Sequence, residues 1–165
     1  LLPFLREGLR NGDKCVAVVD STRPDELMLR IEGTQAAVAS GQLELHDADE
    51  TYLRTGSFDP DLTIDFWESR AKQLVDEHEF DFIRLLGELS WLDRTDTPRA
   101  AIVRYESWND QLASQYPMTI LCLYDLSPIG SRVIVDILRT HPKLLMGGLL
   151  LENPHHIASD DFIAV

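Results

Sequence analysis

The sequence predicts an α/β fold, a mostly parallel central sheet with helices on both faces in the manner of a three-layer sandwich. Three observations predict it. Short apolar, β-branched runs of strand length recur along the chain. Amphipathic stretches at helical spacing separate them. The runs are also too continuously apolar for strands with one wet face, which is the mark of parallel strands covered on both sides.

In order along the chain, Leu1, Leu2, Phe4, Leu5 and Leu9 recur at helical spacing, and Gly8 and Gly12 close that helix. Lys14 to Asp20 is a strand bounded by Gly12 and by the turn from Ser21 to Pro24. Pro24, Asp25 and Glu26 open a helix with Ser21 or Thr22 near its N-cap, and Leu27, Leu29 or Met28, and Ile31 form its buried side. Gln42 to His46 alternates and follows Gly41, a second strand. A long helix from Asp59-Pro60 carries an inner stripe of Leu62, Phe66, Trp67, Ala71, Leu74 and Val75. Phe80 to Gly87 is the third strand, and Pro98 begins a helix with Ile102, Tyr105, Trp108 and Leu112 in its pattern. Met118 to Asp125 reads as the clearest buried strand of the chain, Ser131 to Leu138 as a helix, and Lys143 to Leu151 as one last strand. Residues 1–157 make one domain and 158–165 a polar tail. The chain opens inside a helical pattern, which suggests that it is a fragment with further sequence upstream of Leu1.

Composition narrows the function. A chain of 165 residues and 18.7 kDa buries a sizeable core without disulfide or metal staples. Fifteen basic against twenty-eight acidic residues give a formal charge of −13, which repels a phosphate backbone and an anionic membrane surface. Cys15 and Cys122 form no disulfide framework, and no apolar run reaches transmembrane length. These features fit a cytoplasmic protein.

In an open parallel sheet a ligand binds beyond the carboxyl ends of the strands. Glu88 and Asp125 sit at two such ends, as a carboxylate pair for acid–base or metal chemistry or as caps for neighbouring helices and backbone N–H groups. Trp91 and Tyr124 offer flat apolar walls with a polar tip; core packing is the plainer use of Trp91. Arg139 and His141 close a helix, where they grip a ligand or offset the helix dipole. His155 and His156, with His141 or Asp160, make a poor metal set, because adjacent histidines on a strand point oppositely. Cys122 reads as inert packing. The phosphate loop, dinucleotide fingerprint and nucleophile elbow are all absent from the sequence, so the residues give no recognisable catalytic set and no metal site, and they leave the cofactor unknown.

Several segments together resemble the MEDS domain, a sensory domain named for methanogens, methylotrophs and the dichloromethane-responsive regulator. They are Pro3 to Cys15, Ser40 to Leu43 leading to Asp49 to Leu53, and Gly56 to Pro60. The series continues with Gly87 to Trp91, Cys122 to Asp125, Leu138 to Pro142, then Gly147-Gly148 and Asn153-Pro154. The resemblance implies a fold similar to the RecA/KaiC ATPases, with an additional strand and a His-containing segment upstream. It implies a non-catalytic domain that senses an unidentified small organic molecule and is coupled to an output module on the same chain or to a partner signalling protein. On that reading Glu88, Trp91, Tyr124, Asp125, Arg139 and His141 are the expected ligand-binding set. The alternatives are a degenerate RecA/KaiC-like nucleotide-binding domain and, further off, a small hydrolase using Glu88, Asp125 and His141.

Overall fold

A computed structural model describes residues 1–21, 23–76, 80–125 and 131–158, with side chains of the last helix from residue 134 onward. The chain runs α1 (Leu2–Asn11), β1 (Lys14–Val19), α2 (Pro24–Arg30), α3 (Thr34–Ala39), β2 (Leu43–Asp47), α4 (Pro60–Asp76) and β3 (Ile83–Glu88). A short 3-10 turn (Ser90–Arg94) follows, then α5 (Arg99–Gln115), β4 (Met118–Leu123), α6 (Ser131–Thr140), β5 (Lys143–Met146) and β6 (Leu149–Glu152).

Four strands form the central sheet in the order β2-β1-β3-β4, every pair parallel. Side-chain alternation along β1 divides the molecule into two cores. Cys15, Ala17 and Val19 face one side with Leu5 of α1, Leu27 of α2 and Ala37 of α3. Val16 and Val18 face the other with Trp67 of α4, Ile102 and Tyr105 of α5 and Ile137 of α6. The α/β fold class read from the sequence is therefore the one observed, a parallel sheet between two helical layers.

Close approach shapes the first layer. A Cβ on Gly8 would lie 2.6 Å from both Cys15 Sγ and Arg84 Cδ, so the glycine lets α1 settle onto the sheet. Gly8 is thus a buried interior residue of α1, and Gly12, at φ 81°, is the left-handed residue that ends it. At the edge, Lys14 is buried and its ammonium donates to the Gly41 carbonyl and to Glu44, which also pairs with Arg70.

Several expectations are corrected. Lys143 to Leu151 is not a strand of the central sheet but an antiparallel hairpin, β5–β6, in a separate two-stranded sheet. Gly147 and Gly148 both take positive φ and turn the chain there, which two consecutive residues with a Cβ would resist. Its Leu145, Met146, Leu149, Leu150 and Leu151 are exposed. β4 is half-buried rather than buried: only Met118 is buried and Ile120 and Cys122 are not, because β4 pairs with β3 on one side and with no described strand on the other. Leu29 is 89% exposed and Leu62 lies outside the buried stripe of α4, whose buried positions are Thr63, Trp67, Ala71 and Leu74. The N-cap of α2 is Arg23, with no side-chain cap bond, while the Ser21 hydroxyl turns to Glu88; Thr22 lies outside the described residues. α3 is a helix the sequence reading did not expect. The polar tail lies outside the described residues from 159 onward.

Candidate functional site

The strand order reverses direction between β1 and β3, the point at which an open parallel sheet leaves a crevice beyond its strand ends. Glu88, the last residue of β3, reaches across that crevice. Its Oε2 accepts hydrogen bonds from the backbone N–H groups of Asp20 (2.9 Å) and Ser21 (3.2 Å), and its Oε1 accepts one from the Ser21 hydroxyl. The Asp20 carboxylate in turn accepts from Ser90 Oγ (2.9 Å) and from Arg94 (2.6 Å), which also pairs with Asp49 at 2.7 Å. The ends of β1 and β3 are therefore laced together by acids that serve backbone and neighbouring side chains.

Beside this lacing is a cleft of about 360 Å³ lined by Ser21, Glu88, Ser90, Leu123, Tyr124 and Asp125. Three of the six residues singled out from the sequence, Glu88, Tyr124 and Asp125, meet there. Trp91 is 0% exposed and packs between Tyr52 (ring centroids 5.3 Å apart) and Phe58 (4.9 Å), behind the strand ends rather than on the cleft wall. Arg139 is half exposed and lies 4.0 Å from Asp136, one turn earlier on α6. A larger, open groove of about 970 Å³ lies at the opposite, amino end of the strands, between α1 and α2–α3, lined in part by Arg6, Arg10 and Arg30.

His141 belongs to a second constellation. It sits just past α6, held by Nδ1 at 2.7 Å from the Ile137 carbonyl and 3.0 Å from the Thr140 hydroxyl. Its Nε2 lies 3.3 Å from Oε2 of Glu106, a fully buried carboxylate on α5. The same Oε2 receives Cys122 Sγ at 3.3 Å and Asn109 Nδ2 at 3.4 Å. The Tyr124 ring meets the His141 ring edge-on at 6.2 Å, and its buried hydroxyl lies in the field of Glu106. A cavity of about 160 Å³ opens beside Glu106, Asn109, Cys122 and His141.

The charges here follow from burial and pairing. Burial alone would raise the Glu106 carboxyl, but the hydrogen bond and charge of His141 outweigh it and hold the group below its ordinary value. Burial pulls His141 down, and Glu106 more than restores it, so the imidazole sits above its ordinary value. Cys122 and Tyr124 are pushed well up, first by burial and then by the Glu106 charge, so both stay protonated. A neutral, buried thiol is a poor nucleophile. Sequence reading missed Glu106 and Asn109, although their spacing from Ile102 and Leu112 places both on the apolar stripe of α5.

The chain is similar to known proteins in a way that accords with this architecture. It is 24% identical over 151 residues to the transcriptional repressor DcmR of Methylorubrum extorquens, a match covering 85% of this chain and 51% of the repressor. The chain thus spans about half the length of that relative. The model of the MEDS family, the methanogen/methylotroph, DcmR sensory domain, matches residues 1–142, from the start of α1 to the Pro142 that precedes the hairpin. This chain belongs to the MEDS family of sensory domains.

Proposed function

We propose that the domain is the non-catalytic input half of a cytoplasmic transcription-control or signalling protein, and that it binds a small organic molecule in the cleft at the carboxyl ends of β3 and β4. The family match over residues 1–142 carries this reading. The cleft supports it, because Glu88 and Asp125 supply acceptors for a cationic or hydrogen-bond-donating ligand beside the face of Tyr124. Trp91 acts at one remove, by fixing the strand ends from behind. The repressor relative is about twice as long as the matched stretch, which suits an output module elsewhere on the same chain. A formal charge of −13 suits a segment that leaves nucleic acid to that module.

The amides at the switch point weigh against the nucleotide alternative of the RecA/KaiC kind. A phosphate at this crevice would draw on backbone N–H groups such as those of Asp20 and Ser21, and both already donate to Glu88. Ligand that signals must also prefer one of two conformations, since equal affinity for both shifts nothing.

The test uses the full-length regulator, reading reporter output and thermal stability together. Asp125→Asn and Glu88→Gln are expected to weaken the response roughly tenfold or more, the effect of losing one charge-assisted hydrogen bond, with the melting temperature nearly unchanged for Asp125→Asn. A normal response in both variants would remove this cleft from consideration. Native mass spectrometry of the same protein would show the co-purified small molecule.

A further inference from the structure

We propose that Glu106, Cys122 and His141 form a three-ligand site for a zinc-class divalent cation, with its open position facing the cavity beside α5 and β4.

Donor geometry is the first ground. Among the described residues, these three present a carboxylate oxygen, a sulfur and an imidazole nitrogen all within 4.8 Å of one another. Zinc bonds of roughly 2.0–2.3 Å in tetrahedral array separate their donors by about 3.3–3.6 Å. The separations from Glu106 Oε2 to Cys122 Sγ and to His141 Nε2 are both 3.3 Å, and the third pair lies within 4.8 Å. One Glu, one Cys and one His are a borderline-soft set that suits zinc rather than magnesium or calcium.

The imidazole supplies the second ground. His141 Nδ1 lies 2.7 Å from the Ile137 carbonyl, so Nδ1 carries a proton and donates it there. A neutral ring then turns the bare lone pair of Nε2 toward the Glu106 carboxylate, an arrangement that needs a positive charge between them. A proton on Nε2 supplies one. A metal supplies the other, and a ligating histidine characteristically gives its second N–H to a backbone carbonyl. Asn109 stands where an outer-shell donor would, with Nδ2 3.4 Å from Glu106 Oε2 and 3.9 Å from Cys122 Sγ.

Third, the site holds polar atoms left over. Asn109 Oδ1 is buried with no hydrogen-bond partner among the described residues, and the buried Glu106 carboxylate has only the Tyr124 hydroxyl to add to the three groups gathered at Oε2. A fully buried carboxylate and a buried amide oxygen with so few donors are costly unless something else serves them. A bound cation with one water in the neighbouring cavity of about 160 Å³ would do so. On binding, the protons on Cys122 Sγ and His141 Nε2 pass to solvent, and the cation takes their place against Glu106 Oε2.

The site stands apart from the sensory reading, since metal content is measured without any reference to a response. The experiment uses the untagged chain, stripped and then titrated with Co²⁺ and with Zn²⁺. About one equivalent is expected to bind. The cobalt form should show tetrahedral visible bands and a near-ultraviolet thiolate-to-cobalt band. Cys122→Ser should abolish the thiolate band, and His141→Gln, which removes a direct ligand, should weaken binding by more than the roughly 10–100-fold that loss of an outer-shell partner costs. His155→Ala with His156→Ala should leave both intact, as should Cys15→Ala. X-ray absorption at the zinc edge of the unaltered protein, showing one sulfur among nitrogen and oxygen donors, keeps the test open if Cys122→Ser fails to fold. A spectrum without sulfur, a thiolate band that survives Cys122→Ser, or binding lost with His155 and His156 instead would each overturn the proposal.

Discussion

β1 and β4 look interchangeable as sequence, yet they live in different surroundings. Each is six residues long and dominated by aliphatic side chains. All six residues of β1 are buried, whereas β4 buries Met118 alone. β1 has β2 on one side and β3 on the other, and β4 has only β3 among the described strands. A strand's apolarity thus reports what it tolerates on both faces, and its place in the sheet decides how much of that is used. The difference bears on function. The central strand β1 holds dry packing on both faces, while the edge strand β4 brings Cys122 and Tyr124 to cavities and to the buried carboxylate of Glu106.

The largest expected break in this comparison is at Trp91, in the core cluster that Val16 and Val18 of β1 share. Its side chain is fully buried and stacked between Tyr52 and Phe58. Trp91→Ala leaves a large cavity and is expected to cost about 3–5 kcal/mol, read from urea unfolding. A variant with native stability but a lost ligand response would instead move Trp91 from the core to the cleft wall.

A sharper contrast comes from two leucines in register. Leu86 on β3 pairs with Leu121 on β4, and both face the core beneath α1. Leu86 is fully buried, and Leu86→Ala is expected to cost about 2–5 kcal/mol. Leu121 is partly exposed, and Leu121→Ala should cost less, because less of its surface leaves water on folding. Equal losses in the two variants would show that the free side of β4 is covered in solution.

Much of this was legible beforehand, and the failures have physical causes. The four sheet strands, the long helices α4 and α5 and the carboxyl-end cleft follow from periodicity and from the rule for open sheets. The hairpin was signalled by Gly147-Gly148, yet the unbroken leucines on either side hid the turn. α3 escaped because Thr34 to Ala39 is too short for a helical period to show. Glu106 escaped for a different reason. An acid on an amphipathic helix normally marks the wet face, and here it sits on the dry one because His141 and Cys122, distant in sequence, face it. No single-segment pattern carries that information.

The smallest expected effect compares the two edges of the sheet. β2 is the edge opposite β4, and its Glu44 gathers Lys14, Arg70 and His46, whereas the β4 edge displays half-buried apolar residues. Partial burial alone would raise the Glu44 carboxyl. Hydrogen bonds from His46 and Lys14 and the charges of Lys14 and Arg70 outweigh it, and the group is brought down to about 2. A carboxyl whose folded value lies below its unfolded value of 4.5 adds stability that is fully present above that pH. That stability fades as the pH falls toward about 2. Glu44→Gln removes the charge at every pH and leaves the buried Lys14 ammonium with the Gly41 carbonyl. The variant should therefore be less stable than the parent near neutrality, by less than the Leu86→Ala cost, since the site is partly wet and screened. The gap between the two proteins should hold down to about pH 4.5 and then narrow toward pH 2. Urea unfolding of both proteins across that range measures it. A gap that stays constant would show that Glu44 shapes the β2 edge by packing rather than by charge.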